Sequence, residues 1–197
     1  MIALLNRLGL PGDEKSWAAL GFDVTDGLMR VGRVDCAVGV QPGWGFDAVH
    51  ADPTILGIPE VVAARSDRAA DHPNGVGFVD HVVYWVPDLD EAVAGLNAVL
   101  ATEPRRRFHP RGPSGPEMAF YRVGEAFIEV VAAGDQPPML AGIAFGSADL
   151  DATVAAVRAA GGPISDPKPA VQGGRIASVW SGHVGWGVAI MEPKQRS

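Results

Sequence analysis

Two stretches of this chain are near-copies of each other. Residues 81–93 (HVVYWVPDLDEAV) match residues 142–154 (GIAFGSADLDATV), and the acidic motif Asp-Leu-Asp stands at the same place in both. A repeated unit of this kind is typically a structural module that stacks on its copy, because it cannot bury its apolar face alone. The copies differ at their first position, where His81 corresponds to Gly142.

The first copy opens a strand–helix–strand pattern. Residues 78–86 are rich in β-branched and aromatic side chains, which predicts a strand. Asp88 or Asp90 can cap the next helix, in which apolar residues recur at helical spacing up to Leu100. Three strand-like runs and one Gly/Pro-rich loop follow: 103–108, 118–123 and 126–131, with the loop at 110–116. The sequence therefore predicts a βαβββ module over residues 78–134.

The second copy opens the same order of elements. The sequence predicts a strand at 140–145, a helix at 150–160 and a weak strand from Ile164. A loop at 167–173 and a final hairpin, formed by 174–181 and 184–191, complete the copy. These elements predict a second βαβββ module over residues 139–193, and the two modules are expected to form one domain.

The N-terminal part shows a compressed form of the same pattern. Residues 1–64 are predicted to be a degenerate βαβββ-like segment, although no run of identity supports this third copy. Its predicted strands and short helix lie at 2–8, 14–20 (the helix), 22–24, 29–40 and 44–49. The polar stretch 65–77 contains the turn signal Asn74-Gly75 and is predicted to be a linker.

Charge and composition exclude several classes of function. The net charge of −7 argues against nucleic acid or an anionic membrane as the main partner. The single cysteine, Cys36, excludes an intramolecular disulfide and fits a reducing compartment. No apolar run approaches a membrane span, the start of the chain does not read as a signal peptide, and we expect a cytoplasmic protein. No Gly-rich phosphate loop follows a strand, so no nucleotide cofactor is expected. The short basic cluster 105–107 is either a solvated loop or a gate for an anionic substrate.

The paired modules resemble the vicinal oxygen chelate superfamily. This group includes glyoxalase I, extradiol dioxygenases, methylmalonyl-CoA epimerase and the bleomycin-resistance proteins. The resemblance rests on residues 80–83 (DHVV), 86–90 (VPDLD) and 126–131 (AFIEVV), and the first two motifs look particularly like the glyoxalase-like branch. It covers residues 78–193 well and the first 64 residues loosely.

The resemblance implies an α+β fold in which two βαβββ modules curl into a partly open barrel. In this superfamily a divalent metal (zinc, iron, manganese, nickel or magnesium) commonly lies inside, held by His and Glu from the first and last strands. Those positions map to His81 and Glu129, whereas Gly142 replaces the second His. Glu192 is the first candidate for a further ligand and His183 the second, but a register shift of one residue would turn Glu192 to the other face. Members are often dimers, while the extra N-terminal segment of this chain is also compatible with a monomer.

Alternation along the strands places the candidate residues together. His81, Val83 and Trp85 share one face of their strand, and Phe127 and Glu129 share one face of theirs. Burying Glu129 among apolar neighbours is costly without a partner, which a metal ion or His81 would supply. Trp85 and Phe127 are expected to line a substrate cup. Tyr121 is a further substrate-binding candidate whose facing the sequence does not define.

Three functional hypotheses remain open at this stage. The leading one is a metal-dependent lyase, isomerase or dioxygenase acting on a small oxygen-rich molecule, with Glu129 as metal ligand or as catalytic base. The alternative is a metal-free protein that sequesters a small molecule, as bleomycin-resistance proteins do. The third is an interaction domain whose site has degenerated.

Overall fold

The computed structural model describes residues 2–62 and 71–193, so the start of the predicted linker lies outside the described residues. Within the described part the strands are β1 (Leu4–Leu10), β2 (Leu28–Val31), β3 (Val34–Val38), β4 (Gly43–Asp47), β5 (Val76–Val86), β6 (Arg106–Phe108), β7 (Met118–Val123), β8 (Ala126–Ala132), β9 (Met139–Ser147), β10 (Lys168–Pro169), β11 (Arg175–Ser178) and β12 (Gly187–Glu192). The helices are α1 (Glu14–Ala18), α2 (Leu89–Leu100) and α3 (Leu150–Ala159), with a short 3-10 helix at Pro53–Leu56.

The two sequence repeats form the two halves of one eight-stranded sheet. Its strand order is β10-β11-β12-β9-β5-β8-β7-β6. The first strands of the repeats, β5 and β9, run antiparallel at the centre. Each pairs in parallel, on its outer side, with the last strand of its own repeat, β8 and β12 respectively. The predicted α+β fold of paired βαβββ modules in a sheet that does not close is confirmed.

The repeated acidic motif caps the two equivalent helices. The carboxylate of Asp88 accepts a hydrogen bond from the backbone N–H of Glu91 at the start of α2. The carboxylate of Asp149 accepts one from Ala152 at the start of α3. Each aspartate satisfies an amide that the helix leaves unpaired, which explains why the sequence keeps this motif in both copies.

Alternation along β5 decides which side chains face the interior of the curled sheet. Val82 and Tyr84 are buried on the face that the helices cover. His81, Val83 and Trp85 are less buried and point to the opposite face. The period of two therefore separates core residues from candidate site residues on one strand.

The two ends of the eight-stranded sheet approach each other across that opposite face. Arg106 on the end strand β6 donates a hydrogen bond to Gln172, which follows the other end strand β10, over 3.4 Å. The sheet is therefore curled, and the face that carries His81 is concave.

The N-terminal strands and their aromatic residues cover the convex face. The ring of Trp17 contacts Phe145 on β9, with centroids 6.1 Å apart, and the ring of Trp44 contacts Tyr84 on β5 at 5.0 Å. The hydroxyl of Tyr84 donates to the backbone carbonyl of Leu56 over 2.6 Å. These contacts join the N-terminal segment and the central strands into one hydrophobic core.

The N-terminal sheet reproduces only part of the module. Its strand order is β2-β3-β1-β4, with β3 parallel and β4 antiparallel to β1. Strands β1, β3 and β2 are thus arranged as β5, β8 and β7 are, and β4 takes the place next to β1 that β9 takes next to β5. The strand expected at 22–24 does not form, and the run 29–40 is split into β2 and β3 by a turn at Gly32, whose φ is 58°.

The described end of the predicted linker is packed rather than exposed. His72 and Asn74 are buried, and the amide of Asn74 donates to the carbonyl of Leu20 over 2.9 Å. Strand β5 already begins at Val76.

In the described residues no helix is both long and apolar enough to cross a membrane.

Candidate functional site

The concave face of the eight-stranded sheet encloses a cavity of about 620 Å³. This volume lies in the range in which proteins hold small organic ligands. Its walls are mainly apolar and come from both repeats: Val83, Trp85, Met118, Val131, Ile176 and Met191. Its mouth is formed by the loop 110–116 of the first repeat and by residues 168–172 of the second, which comprise β10 and the start of the loop that follows it.

His81 and Glu129 point into this cavity from neighbouring strands. The parallel register sets His81 beside Phe127 and Val83 beside Glu129, so the imidazole and the carboxylate share the concave face. Nε2 of His81 lies 3.9 Å from Oε2 of Glu129, and the two side chains are only 18% and 17% exposed. This separation is too long for a hydrogen bond. The pair therefore leaves polar atoms available to a molecule in the cavity.

Asp80 holds the other side of the imidazole. The register between β5 and β9 slips between Val79 and His81, so Asp80 is an extra residue in a bulge. Its carboxylate accepts a hydrogen bond from Nδ1 of His81 at 2.7 Å. Burial lowers the pKa of His81, but the hydrogen bond to Asp80 and the charge of Glu129 outweigh burial, and the net shift is upward.

Burial also raises the pKa of Glu129. The positive charges of His81 and Arg111 offset this effect in part, and the nearby carboxylate of Asp80 adds to it. A carboxylate that folding makes easier to protonate, next to an imidazole that folding makes harder to deprotonate, is an arrangement suited to hydrogen bonding or proton exchange with a ligand.

A family model for the Glyoxalase/Bleomycin resistance protein/Dioxygenase superfamily matches residues 80–178, half of the chain. The chain belongs to this superfamily. The resemblance to vicinal oxygen chelate proteins is thereby confirmed. No curated protein matches the chain significantly.

Several solved structures share the fold. Methylmalonyl-CoA epimerase from Mycobacterium tuberculosis is similar with a TM-score of 0.53 and 22% identity, covering 61% of this chain and 91% of that one. A hypothetical protein from Bacillus halodurans C-125 has a TM-score of 0.51 and 18% identity, covering 60% and 96%. A variant of the Streptomyces coelicolor epimerase in complex with 2-nitronate-propionyl-CoA has a TM-score of 0.50 and 20% identity, covering 59% and 94%. At these identities the likeness shows the fold alone.

The second half of the site lacks the donors that the first half carries. Gly142 takes the place of His81, and the register of β9 with β12 puts Ala189 at the place equivalent to Glu129. A Cβ at Gly142 would lie 2.7 Å from the carbonyl oxygen of Gly187 on the neighbouring strand. A histidine therefore has no room there, because the two backbones approach too closely.

Glu192, predicted as a metal ligand, lies on the opposite face of the sheet. Its carboxylate accepts a hydrogen bond from Arg175 at 2.8 Å, and Arg175 also pairs with Asp151 of α3. Met191 is the residue of β12 that lines the cavity. The prediction fails by one residue of register, the shift that exchanges the two faces of a strand. His183, the second candidate, also lies elsewhere and contacts the carbonyl of Ser16 through Nε2 at 2.8 Å.

These positions do not fit a divalent metal. A catalytic metal site normally takes three protein ligands and keeps an open position. The cavity offers Nε2 of His81 and the carboxylate of Glu129, and within residues 2–62 and 71–193 no group of three or more His, Cys, Asp or Glu side chains can hold an ion. Asp80 is committed to Nδ1, on the other side of the ring from Nε2.

Of the predicted substrate-binding residues, Trp85 and Phe127 lie on the concave face. Trp85 lines the cavity and is 36% exposed. Phe127 lines a smaller recess of about 140 Å³ that shares His81 and Glu129 with the main cavity, and the guanidinium of Arg122 covers its ring at 4.7 Å.

Tyr121 lies on the convex face instead, which corrects its assignment to substrate binding. Its side chain is fully buried. Its hydroxyl lies 2.7 Å from the side-chain amide of Asn97 and donates to the carbonyl of Val93 over 3.3 Å, both on α2. The polar end of Tyr121 thus joins a strand to its helix.

Sequence reasoning missed the residues at the cavity mouth. Arg111 and Gln172 line the cavity from the first and second loops, and Lys168 joins them from β10. No local signal marks them, because they come together only when the opposite ends of the eight-stranded sheet curl toward each other.

Proposed function

We propose that this protein binds a small organic molecule in its concave cavity and that binding needs no metal ion. The observation that carries the proposal is a cavity of about 620 Å³ with apolar walls around one half-buried polar pair, His81 and Glu129. Apolar walls supply most of the affinity in such pockets, and a few polar groups fix the orientation of the ligand. Ligand sequestration is a function that this geometry supports directly.

The polar pair selects for an oxygen that both donates and accepts hydrogen bonds. Asp80 accepts from Nδ1, and the raised pKa of His81 favours the protonated imidazole, in which Nε2–H is offered to the cavity. The carboxylate of Glu129 accepts hydrogen bonds. A ligand hydroxyl can bridge the 3.9 Å gap, accepting from His81 and donating to Glu129.

Proton transfer at Glu129 is a second candidate function. Its raised pKa favours it, since a carboxylate that binds a proton more readily than usual is a better base toward a ligand. Glu129 would take a proton from the ligand while the imidazolium of His81 stabilises the negative charge that develops on the adjacent ligand oxygen. A metal-assisted mechanism would need a third protein ligand, which the cavity does not offer in the described residues. We therefore propose proton transfer without a metal.

Thermal unfolding of the whole chain, treated with a chelator, tests the proposal. The probes are small hydroxylated aromatic and aliphatic compounds, with zinc, manganese and nickel ions in parallel. A ligand at 100 times its Kd stabilises the native state by about 2.7 kcal/mol, which is readily detected. We expect organic probes to raise the Tm without added metal.

Matched variants locate the effect. His81→Ala and Glu129→Gln should weaken probe binding about tenfold or more, because each removes one side of the polar pair. Glu192→Gln makes the same change on the opposite face of the sheet and should leave Kd unchanged. Probe binding that disappears with chelator and returns with metal, or stoichiometric metal that is lost in His81→Ala, would refute the proposal.

A further inference from the structure

We infer that the ligand of this cavity carries an anionic group, a carboxylate or a phosphate, which binds at the mouth between Arg111 and Lys168. This inference rests on the proposed function and adds the chemical class and the orientation of the ligand. Arg111 comes from the loop of the first repeat and Lys168 from the end strand of the second, and both line the cavity.

The two cations at the mouth are exposed side chains, and the charge of Arg111 also acts on Glu129. In the part of the chain that the structure describes, neither Arg111 nor Lys168 forms an ion pair. Arginines elsewhere on the surface do so: Arg7 with Asp47, Arg30 with Asp35, Arg107 with Asp90 and Glu117, Arg158 with Asp166, and Arg175 with Asp151 and Glu192. A chain with a net charge of −7 thus keeps two cations without an ion pair at the rim of this cavity.

Arg106 places its positive charge at the inner recess, which it lines together with His81 and Glu129. Of the basic cluster 105–107, Arg107 is neutralised by Asp90 and Glu117. Arg106 instead donates to Gln172 and lies over the rings of Phe108 and Phe120, which holds its charge at the recess. At the entrance the positive charges of Arg111 and Lys168 attract anions more strongly than neutral molecules.

The inner end of the cavity carries charges of both signs. Glu129 and Asp80 contribute two carboxylates there, and His81 and Arg106 contribute an imidazole and a guanidinium. An anionic group finds no unbalanced positive charge at that end and is attracted to the mouth, where water also solvates it. The charges consequently orient the ligand with its anion outward and a neutral hydrogen-bonding group inward, and the apolar walls contact the part between them.

Binding of three probes of similar length tests this inference: hexanoate, hexyl phosphate and hexanamide, measured by calorimetry on the whole chain. The carboxamide has the shape of the carboxylate without its charge. We expect the two anions to bind about five- to tenfold more tightly than the amide at low salt, which is the scale of two partly exposed charge pairs. The preference should shrink in 0.5 M salt because the pairs are screened. Comparison of hexanoate with hexyl phosphate separates a carboxylate ligand from a phosphate ligand.

The variant Arg111→Gln/Lys168→Gln should bind all three probes with nearly equal affinity. Arg105→Gln removes a positive charge from the neighbouring cluster 105–107, at a residue that lies outside the cavity lining, and this variant should keep the preference for anions. Equal binding of anions and amide by the native protein, or a preference that survives the double substitution, overturns the inference. Binding of neutral hydroxylated probes alone overturns the anion site and leaves the proposed function standing, whereas failure of every probe in both sets overturns the cavity as a binding site.

Discussion

Oδ2 of Asp80 lies 2.7 Å from Nδ1 of His81, although the two residues are neighbours on a strand, where side chains normally face opposite sides. The bulge between Val79 and His81 makes this contact possible, because the extra residue is not held to the alternation of the ladder. A carboxylate on Nδ1 fixes the orientation of the ring and leaves Nε2 for the cavity. The bulge therefore prepares His81 for binding before any ligand arrives.

Replacement of Asp80 by Asn should lower the pKa of His81. The amide can still accept from Nδ1, but it carries no negative charge to stabilise the imidazolium. The measurement is an NMR titration of the histidine ring protons in both proteins. Asp135→Asn, which makes the same change at an exposed position, should leave the titration of His81 as it is. An unchanged His81 titration in Asp80→Asn would show that Asp80 does not control this ring.

Glu129→Gln should raise the stability of the unliganded protein at pH 7. Folding raises the pKa of Glu129 above its ordinary 4.5, so its native state binds protons more readily than its unfolded state. Stability from this group is complete below about pH 4.5 and is lost as the pH rises through the folded pKa. The glutamine variant avoids that loss. We expect a gain of roughly 0.5–1 kcal/mol at pH 7, the usual scale for replacing a strained functional group, and almost none at pH 4.

Urea unfolding at the two pH values measures this difference. The control is Glu192→Gln, which breaks the contact of a partly exposed carboxylate with Arg175 and should lower stability slightly at pH 7. A Glu129→Gln variant that is equally destabilised at both pH values would mean that the carboxylate stabilises the unliganded fold.

Gly142→Ala should destabilise the protein by about 1–3 kcal/mol, because overpacked sites of this kind force the backbone to move. The new Cβ would meet the carbonyl oxygen of Gly187 at 2.7 Å, and backbone cannot rotate away as a side chain can. Gly77→Ala is the matched control, since a Cβ at Gly77 meets no atom within 4 Å. Thermal unfolding of both variants measures this difference. Equal Tm values for Gly142→Ala and Gly77→Ala would contradict the close approach of β9 and β12.

The elements of the two modules could be predicted because local pattern decides them. Alternating β-branched residues and capped amphipathic helices gave β5, α2, β9 and α3 within a few residues of their observed bounds. Alternation within one strand also placed His81 and Trp85 on one face, because no partner strand is needed to count by two.

The predictions that were wrong concern features that depend on contacts between elements distant in sequence. The face of Glu192 depends on where β12 ends against β11, and the sequence does not specify a register to one residue. The facing of Tyr121 depends on its contact with Asn97 of α2, which is distant in sequence. The bulge at Asp80 depends on the ladder between β5 and β9, so the closest partner of His81 could not be recognised from adjacency alone.

Tyr121→Phe should lower stability without weakening ligand binding. The change removes a buried hydroxyl that bonds to α2, and a lost hydrogen bond of this kind costs about 1 kcal/mol. Trp85→Leu should weaken ligand binding with little effect on stability, because Trp85 is partly exposed on the cavity wall. Urea unfolding and probe titration of both variants form the test. A large loss of affinity in Tyr121→Phe would return this residue to the site.

His72 should make the packing of the N-terminal segment sensitive to acid. Nδ1 of His72 accepts from the backbone N–H of Asp23 at 3.1 Å, so Nε2–H donates to the carbonyl of Arg30 at 3.0 Å. This ring is neutral when it makes both bonds, and protonation would set a second N–H against that of Asp23. Burial lowers the pKa of His72 below 6.5, although the bond to Arg30 and nearby carboxylates offset part of the shift.

The sign of the pH effect follows from this lowered pKa. Below pH 6.5 the unfolded chain takes up the proton more readily than the native state, so the contribution of His72 is complete above pH 6.5 and is lost as the pH falls through its folded value. His72→Gln should therefore cost about 1–2 kcal/mol at pH 8, where it removes buried hydrogen bonds, and less at pH 5, where the native histidine is already weakened. The difference between variant and native protein isolates His72 from His81, whose raised pKa gives the opposite slope. His109→Gln, at an exposed histidine, should give only a small difference. A cost of His72→Gln that grows toward pH 5 would require a charged His72 in the native state, against the hydrogen bond that it accepts from Asp23.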